Sequence, residues 1–283
     1  MHRHTARSGA NEMDGLLRPS ESNTETAGVT AVVVTYNSAH HLARLGRSLA
    51  SGTLVPARTL VVDNASVDNT VASARSAGFE VYETGSNDGF GAGCNAGLCV
   101  AATEYVLFCN PDVRPSSDAL ERLHAALASM PIAAIAGAVL DDQTYARRFS
   151  RISANVLSFV PGTFQHLVQR LLRNVPVDQR EKPVVVDYTV GAFILCRAAA
   201  LHSVGGFDER FFLYSEEEDL CRRLSERGWQ TLLVPTATAG HALSTSSDGI
   251  DKAVMSPFRL HSLYWYYRRY HSRLYAEFAR CPV

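Results

Sequence analysis

The sequence predicts an α/β fold: a mostly parallel central sheet with flanking helices, in a single domain with a helical extension at its C-terminus. Short apolar runs rich in Val, Leu and Ile alternate with helical patterns from residue 29 onward, and this alternation is typical of βαβ units. The chain has 283 residues, of which 46% are hydrophobic and 19% charged. Such a composition is typical of a folded protein and not of a disordered one.

Four strands and the helices between them make up the predicted first half. The strands cover residues 31–35, 59–63, 79–83 and 105–109. Leu42, Leu45 and Leu49 recur at helical spacing after the first strand, where Asn37 or Ser38 is the expected N-cap. The later helices are predicted at residues 67–77 and up to about residue 102.

The second half is less regular. Its predicted helices cover residues 116–129, a short stretch after residue 196, and 216–227. Its predicted strands cover residues 132–140, 184–188, 190–196 and 230–234. Residues 141–182 are expected to form a polar, loose span, and residues 1–28 a flexible tail, because these segments lack regular apolar patterns.

Composition argues against several classes of function. The 27 Lys and Arg residues balance 28 Asp and Glu residues, so no overall charge favours a nucleic acid partner. No apolar run approaches the ~20 residues of a membrane-spanning helix, and the N-terminus lacks an apolar signal core, so we expect a cytoplasmic protein. The six cysteines contain no C-x-x-C pair, which favours buried free thiols over disulfides or a zinc site.

Polar residues stand at the ends of the predicted strands. Asn37, Asp63, Asn87 and Asp112 all occupy such positions, and in parallel α/β sheets ligands bind at this edge. Either aspartate by itself can instead cap the following helix. The glycine-rich segment 85–93 does not fit the dinucleotide-binding fingerprint, because it follows the third strand and not the first. Its glycines can also serve a tight turn and close packing.

Two further features allow more than one interpretation. Glu216 to Asp219 begin a predicted helix, where acidic residues favour the helix dipole. The same cluster follows an apolar segment, an environment that can raise the pKa of one carboxyl and suit it to act as a general base. His241 follows the last predicted strand, and it can be either a structural histidine or a ligand for a metal or phosphate.

Six motifs, in this order, resemble the inverting nucleotide-sugar glycosyltransferases of family 2, which have the GT-A fold, and among them the rhamnosyltransferase-like bacterial enzymes. The motifs occupy residues 32–37, 61–66, 87–95, 110–112, 205–214 and 216–220. The resemblance implies a GT-A domain at 29–254, with a nucleotide-binding half at 29–115 and an acceptor and catalytic half at 184–245. It also implies a role for each matching residue.

By this resemblance Glu217 is the catalytic base, Glu216 supports it or the acceptor, and Asp219 orients the helix or the acceptor. Glutamate replaces the family's usual aspartate here, so the choice between Glu217 and Glu216 stays open. The implied nucleotide-sugar-binding residues are Thr35, Tyr36, Asn37, Asp63, Asn64, Ser66, Asn87, Gly89, Asn95 and Asn110. Asp112 and His241 are the implied ligands of a divalent metal, Mg²⁺ or Mn²⁺.

The resemblance implies transfer of a sugar, L-rhamnose from dTDP-rhamnose, to a cell-envelope or polysaccharide glycan that can be lipid-linked. The alternatives are a UDP- or GDP-sugar donor with the same mechanism, or a catalytically silent nucleotide-sugar-binding module. Asn110 replaces the first acid of the family's Asp-x-Asp motif, so substrate phosphates are expected to supply more of the metal ligands.

Residues 255–283 are predicted to form a basic, aromatic helix. An apolar stripe comprises Leu260, Leu263, Tyr267, Tyr270 and Leu274, and Arg259, Arg268, Arg269 and Arg273 add positive charge. Such a helix can lie peripherally at the inner face of the plasma membrane. It can equally dock on the core or on a second subunit, as in a homodimer.

Overall fold

The computed structural model describes residues 28–141, 145–149, 174–176, 182–241 and 252–278. The predicted tail, apart from its last residue, and most of the span predicted to be loose lie outside the described residues.

A nine-stranded sheet forms the centre of the molecule. Its strands are β1 (Val29–Thr35), β2 (Arg58–Asp63), β3 (Glu80–Glu83), β4 (Tyr105–Cys109), β5 (Val113–Pro115), β6 (Ala133–Leu140), β9 (Val184–Val186), β10 (Phe193–Arg197) and β11 (Gln230–His241). The order is β3-β2-β1-β4-β10-β6-β11-β5, and β9 also pairs with β11. Two further strands, β7 (Tyr145–Arg147) and β8 (Asn174–Pro176), pair with each other.

The α/β prediction is confirmed, and the antiparallel part of the sheet is larger than predicted. Strands β3, β2, β1 and β4 are parallel, as are β6 and β11. Strand β10 runs antiparallel between β4 and β6, and β5 and β9 run antiparallel to β11. The apolar runs of the second half indicate where strands lie, but they do not indicate whether a strand runs parallel or antiparallel to its neighbours.

Eight helices are described, one more than predicted, because the predicted C-terminal helix is interrupted at residues 271–272; the other helices match the predicted ones with shifted bounds. The eight are α1 (Ala39–Ala50), α2 (Thr70–Ser76), α3 (Phe90–Val100), α4 (Ala119–Ser129), α5 (Ala198–Ser203), α6 (Glu216–Glu226), α7 (Lys252–Tyr270) and α8 (Arg273–Phe278). The expected N-cap of α1 is wrong, because Ser38 occupies that position without a side-chain cap bond. Instead Asp68 Oδ2, from the loop before α2, accepts the Ala39 N–H at 3.3 Å.

The predicted last strand is too short. Strand β11 continues from Val234 to His241, with a register shift against β6 between Val234 and Thr238. Pro235 lies in this irregular stretch. Because proline has no N–H to donate to a neighbouring strand, its presence in the sequence predicts that the strand ends there. Pairing with β5 carries the strand onward and places His241 opposite Val113.

The core lies on both faces of the sheet. Along β1, Ala31 and Val33 contribute to the face that α1 and α4 cover, and Val32 and Val34 to the face that α3 and α6 cover. This alternation is the two-residue period of a strand. Helix α3 lies unusually close to β1, since a Cβ at Gly97 would stand 2.3 Å from Val32 Cγ1. The glycine-rich sequence of α3 thus has a packing function.

The cysteine prediction is confirmed for four of the five described residues. Cys94, Cys109, Cys196 and Cys221 are buried free thiols. Cys99 is free but exposed, because it lies on the outer side of α3.

Helix α7 docks on the core, as one of the two alternatives predicted. Tyr264, Tyr266 and Tyr267 are buried and pack with Phe211. The predicted apolar stripe is partly wrong, since Leu260 and Leu274 are exposed. Two of the buried tyrosine hydroxyls accept hydrogen bonds, Tyr264 from Arg268 Nη1 at 2.9 Å and Tyr266 from Arg222 Nη1 at 3.3 Å. No helix in the described ranges is long and apolar enough to cross a membrane.

Asp208 joins the core to α7. Its Oδ2 atom lies 2.5 Å from Arg210 Nη2 and 2.6 Å from Arg269 Nη1. The hydrogen bonds from Arg210, helped by the charge of Arg269, lower the pKa of Asp208 to about 2. The contact therefore stabilises the fold while Asp208 is ionised.

We expect acid to remove this stabilisation. Because the folded-state pKa is depressed, the contribution is complete above the unfolded pKa of about 3.9 and is lost as the pH falls towards 2. Between about pH 5 and pH 3 the natural chain should lose about 1 kcal/mol more unfolding free energy than Asp208→Asn, after allowance for solvent screening. Urea unfolding measures this difference. Asp88→Asn, at an exposed carboxylate, is the control and should behave like the natural chain.

Candidate active site

The candidate site lies at the carboxyl ends of β1, β2 and β4. Thr35 and Asp63 are paired in register at the ends of β1 and β2. Thr35 Oγ1 donates to Asp63 Oδ1 at 3.1 Å, and Ser66 donates its Oγ to the same oxygen at 2.6 Å and its N–H to Oδ2 at 2.9 Å. Three donors thus satisfy a carboxylate that is 1% exposed.

The loops after β1 and β2 are also joined to each other. The Asn37 N–H donates to Ser66 Oγ at 2.8 Å, and Asn37 Oδ1 accepts the Val67 N–H at 2.9 Å. Asn37 holds a left-handed conformation with φ 52°, which asparagine tolerates better than most residues. The two loops therefore form one rigid rim, from which the Tyr36 side chain is exposed.

The glycine-rich loop is fixed against the same rim. Asn64 Nδ2 donates to the Gly89 carbonyl at 3.0 Å, and Asn87 Oδ1 accepts the Gly89 N–H at 3.2 Å. Gly89 has φ 96°, and a Cβ there would stand 2.2 Å from the Phe212 carbonyl oxygen. That carbonyl accepts the Phe90 N–H at 3.0 Å. Only glycine fits where this loop meets the segment before α6.

Asn95 has a structural task that the sequence did not indicate. Its Nδ2 donates to the Phe207 carbonyl at 2.9 Å and to Glu209 Oε1 at 2.8 Å, and its Oδ1 accepts the Phe207 N–H at 2.8 Å. These bonds tie α3 to the loop that follows α5. These bonds use both amide hydrogens of Asn95, which leaves neither of them for a nucleotide sugar.

Asn110, Asp112 and His241 lie together at the end of β4. His241 Nε2 is 3.3 Å from Asp112 Oδ1 and 3.3 Å from Asn110 Nδ2, and Asp112 is fully buried. The pairing of β5 with β11 brings the histidine here. The full length of β11 therefore assembles the two residues predicted to bind metal.

This group fits a divalent cation that keeps part of its own shell. It offers a carboxylate, an imidazole and an amide oxygen, and the described residues hold no cluster of three or more His, Cys, Asp or Glu side chains. Mg²⁺ and ions like it are bound by one or two carboxylates together with water and substrate phosphate oxygens. Asp112 and His241 suit such an ion.

The acidic residues at the start of α6 have different surroundings. Glu217 is half-buried, and its Oε1 accepts the Gly191 N–H at 3.1 Å. Ala192, next to that glycine, accepts the Asn110 N–H at 2.9 Å. One short loop, residues 190–192, therefore connects Glu217 to the end of β4. The sequence predicts a strand over residues 190–196, whereas the strand begins only at Phe193.

Glu216 is buried, with 2% of its surface exposed, and its Oε2 has no hydrogen-bond partner among the described residues. Burial, and then the charge of Glu217, raises the pKa of Glu216 well above its usual value. Burial therefore favours the neutral acid at Glu216. Glu217 is the more accessible carboxyl group of this pair.

Asp219 supports α6, and both of its carboxylate oxygens accept hydrogen bonds from protein side chains. Oδ2 accepts from Arg223 Nε at 2.7 Å, and Oδ1 accepts from Tyr270 OH at 2.7 Å and Arg269 Nη1 at 3.1 Å. Of the two roles predicted for Asp219, the structure gives it the support of the helix. The bonds to Arg269 and Tyr270 hold α7 against that helix.

Comparison with known proteins identifies the family that this chain resembles in sequence. The model of the family described as glycosyl transferase family 2 matches residues 30–205. The chain is 31% identical over 239 residues to an N-acetylglucosaminyl-diphospho-decaprenol L-rhamnosyltransferase of Mycobacterium tuberculosis, covering 77% of each chain. It is 29% identical over 174 residues to rhamnosyltransferase WbbL of Escherichia coli, covering 56% of this chain and 63% of the relative.

Solved structures share the fold at low identity. The mannosyltransferase PcManGT of Pyrobaculum calidifontis, in complex with GDP-Man and Mn²⁺, gives a TM-score of 0.61 at 17% identity, covering 94% of this chain and 74% of that one. GalNAc-T7 with UDP, GalNAc and Mn²⁺ gives 0.60 at 14% identity, covering 77% and 44%. These likenesses support the fold alone.

We expect Asn95→Ala to act on stability. The substitution leaves the Phe207 peptide without its partners, which should cost about 2 kcal/mol of unfolding free energy. Nucleotide binding by the folded variant should stay within about twofold of the natural chain, since a structural hydrogen bond carries no ligand contact. Thermal unfolding and calorimetry with dTDP measure the two effects. A large loss of nucleotide affinity at unchanged stability would show instead that Asn95 contacts the nucleotide.

Proposed function

The chain belongs to glycosyl transferase family 2 and is a glycosyltransferase of the GT-A fold, and from this premise we propose that it transfers L-rhamnose from dTDP-rhamnose to a lipid-linked glycan of the cell envelope, with inversion at the anomeric carbon. The names of two relatives support the sugar: both are rhamnosyltransferases. The decaprenol diphosphate in the name of one relative supports the lipid-linked acceptor.

The observation that carries the mechanism is the position of Glu217. Its carboxylate is half-buried, held by the Gly191 N–H, and connected through Ala192 to the end of β4. In the proposed reaction Glu217 removes the proton of the acceptor hydroxyl, and that oxygen forms a bond to the anomeric carbon from the face opposite the nucleotide. The bond from the anomeric carbon to the diphosphate oxygen breaks, and its electron pair leaves with dTDP.

Glu216 assists this base by staying neutral. A second ionised carboxylate beside Glu217 would repel the diphosphate of the donor. Burial of Glu216 favours its protonated form, which removes one negative charge from beside Glu217. In this proposal Glu217 and not Glu216 is the catalytic base.

The rim formed by the loops after β1 and β2 is the proposed nucleotide site. Asp63 has three protein donors and orders the rim, whereas the side chain of Tyr36 is exposed and available to the nucleotide. Asn87 and Gly89 place the glycine-rich loop on the other side of the donor. The donor then lies between this rim and Glu217.

Asp112 and His241 are the proposed ligands of the divalent metal, with Asn110 beside them. When bound, the metal offsets the charge that develops on the departing diphosphate. Because this chain supplies few ligands, the diphosphate must supply others. Metal and nucleotide are therefore expected to bind together.

The proposed acceptor places the protein at the inner face of the plasma membrane. The exposed Arg259 and Leu260 of α7 and Leu274 of α8 are the residues available for peripheral contact. Long basic side chains beside apolar ones suit the interface of an anionic membrane.

Glu217→Gln should lower turnover by about 100-fold or more, since a positioned general base contributes on that scale. The measurement is transfer from dTDP-rhamnose to a synthetic N-acetylglucosaminyl-diphospho-polyprenol, with dTDP binding followed by calorimetry. Binding should stay near that of the natural chain. The neighbouring isosteric change Glu216→Gln is the matched control and should lose far less turnover. The reverse pattern would move the base to Glu216.

Calorimetric titration with dTDP, UDP and GDP, each with and without Mn²⁺, tests the donor. We expect dTDP to bind tightest and its affinity to rise by about tenfold or more with metal. Asp112→Asn should abolish most of that rise while leaving metal-free binding in place. Preference for UDP or GDP would keep the mechanism and change the donor. Absence of binding to all three would favour a silent module.

A further inference from the structure

We infer that α7 is a positioning element for the catalytic base, and that the hydroxyl of Ser262 holds in place the segment that precedes this base. This inference rests on the proposed role of Glu217. It concerns residues 211–215, hereafter the bridge segment, which runs between the glycine-rich loop and the start of α6.

The bridge segment contains two consecutive strained residues. Tyr214 has φ 71° and Ser215 has φ 67°, and neither is glycine. Residues held in this region cost free energy and persist only where the surrounding structure holds them. Ser215 is also the N-cap residue of α6, and its side chain makes no cap bond there. The conformation that starts the catalytic helix must therefore be held from outside the helix.

Helix α7 supplies that hold. Ser262 is fully buried, and its Oγ donates to the Leu213 carbonyl at 2.7 Å, across 49 residues of sequence. Phe258, one turn earlier in α7, stacks on Phe212 with ring centroids 4.6 Å apart and planes tilted by 22°. Both contacts fall on the residues just before the strained pair.

The other side of the bridge segment touches the donor loop. The Phe212 carbonyl accepts the Phe90 N–H at 3.0 Å and lies where a Cβ of Gly89 would clash. One segment is thus fixed by α7 on one side and by the donor loop on the other, through residues that lie three and four positions before Glu216. A shift of this segment would displace Glu217 relative to the donor.

A small displacement of a catalytic group lowers kcat more than it lowers the affinity for the substrate. Ser262 bonds the Leu213 carbonyl, whereas the donor loop has its own bonds, from Asn64 Nδ2 to the Gly89 carbonyl and from the Gly89 N–H to Asn87 Oδ1. Ser262 is therefore a positioning residue. Its loss should change the rate of the chemical step and leave nucleotide affinity in place.

The test is Ser262→Ala in the full chain, assayed with dTDP-rhamnose and the synthetic N-acetylglucosaminyl-diphospho-polyprenol. We expect kcat to fall by about tenfold while the donor KM and the dTDP Kd change by less than about twofold. Amide hydrogen exchange should rise by about tenfold or more in residues 211–219 and stay unchanged in α4. Ser129→Ala, which removes a hydroxyl bonded to the Ala126 carbonyl in α4, is the matched control and should change none of these.

Phe258→Leu gives a second test if Ser262→Ala fails to fold. It keeps the Ser262 hydroxyl, removes the ring stack on Phe212, and should give the same division between kcat and donor KM. Unchanged kcat and unchanged exchange in either folded variant would overturn the inference. So would an equal fall in kcat, dTDP affinity and unfolding temperature, which would show a general loss of structure.

Failure of the proposed function has a different signature. In that case Glu217→Gln keeps its turnover, whereas faster exchange in residues 211–219 of Ser262→Ala still reports the hold of α7 on the bridge segment. If Glu217→Gln loses turnover and Ser262→Ala loses none, the inference alone is wrong.

Discussion

The site depends on a backbone contact between two segments that are far apart in sequence. The Phe212 carbonyl, in the segment before α6, accepts the Phe90 N–H at the start of α3, and Gly89 provides the space for it. A side chain at Gly89 would separate the glycine-rich loop from the segment before α6. The distance between the proposed nucleotide rim and the acidic helix is thus set by main-chain atoms, which move less freely than side chains.

Buried carboxylates organise the rest of the site, and each is stabilised in its own way. Asp63 receives hydroxyl and amide donors and joins two loops. Asp219 accepts hydrogen bonds from Arg223, Arg269 and Tyr270 and joins two helices. Glu216 lacks such partners on Oε2, and burial favours its neutral form. Because an unpaired buried charge is costly, these three solutions leave Glu217 as the accessible charge of the helix start.

The end of β4 shows how the proposed chemistry shares work between protein and substrate. Asn110 stands where the resembled family has an acid, and Asp112 and His241 are the two ionisable groups beside it. A site with few protein ligands binds its ion best when phosphate oxygens complete the shell. In the proposed function the metal site is therefore complete only with the donor present.

The sequence by itself determined the α/β fold, nearly all the helices and strands of the first half, and the residues at the strand ends. Period and turn residues are local properties, so they can be read without the rest of the chain. The extension of β11 past Pro235, the antiparallel place of β10 and the structural task of Asn95 were decided only by tertiary structure, because each depends on a partner distant in sequence. The same holds for α7: its sequence allowed a membrane surface or a docked helix, and only the buried partners of its tyrosines and Ser262 show that it docks on the core.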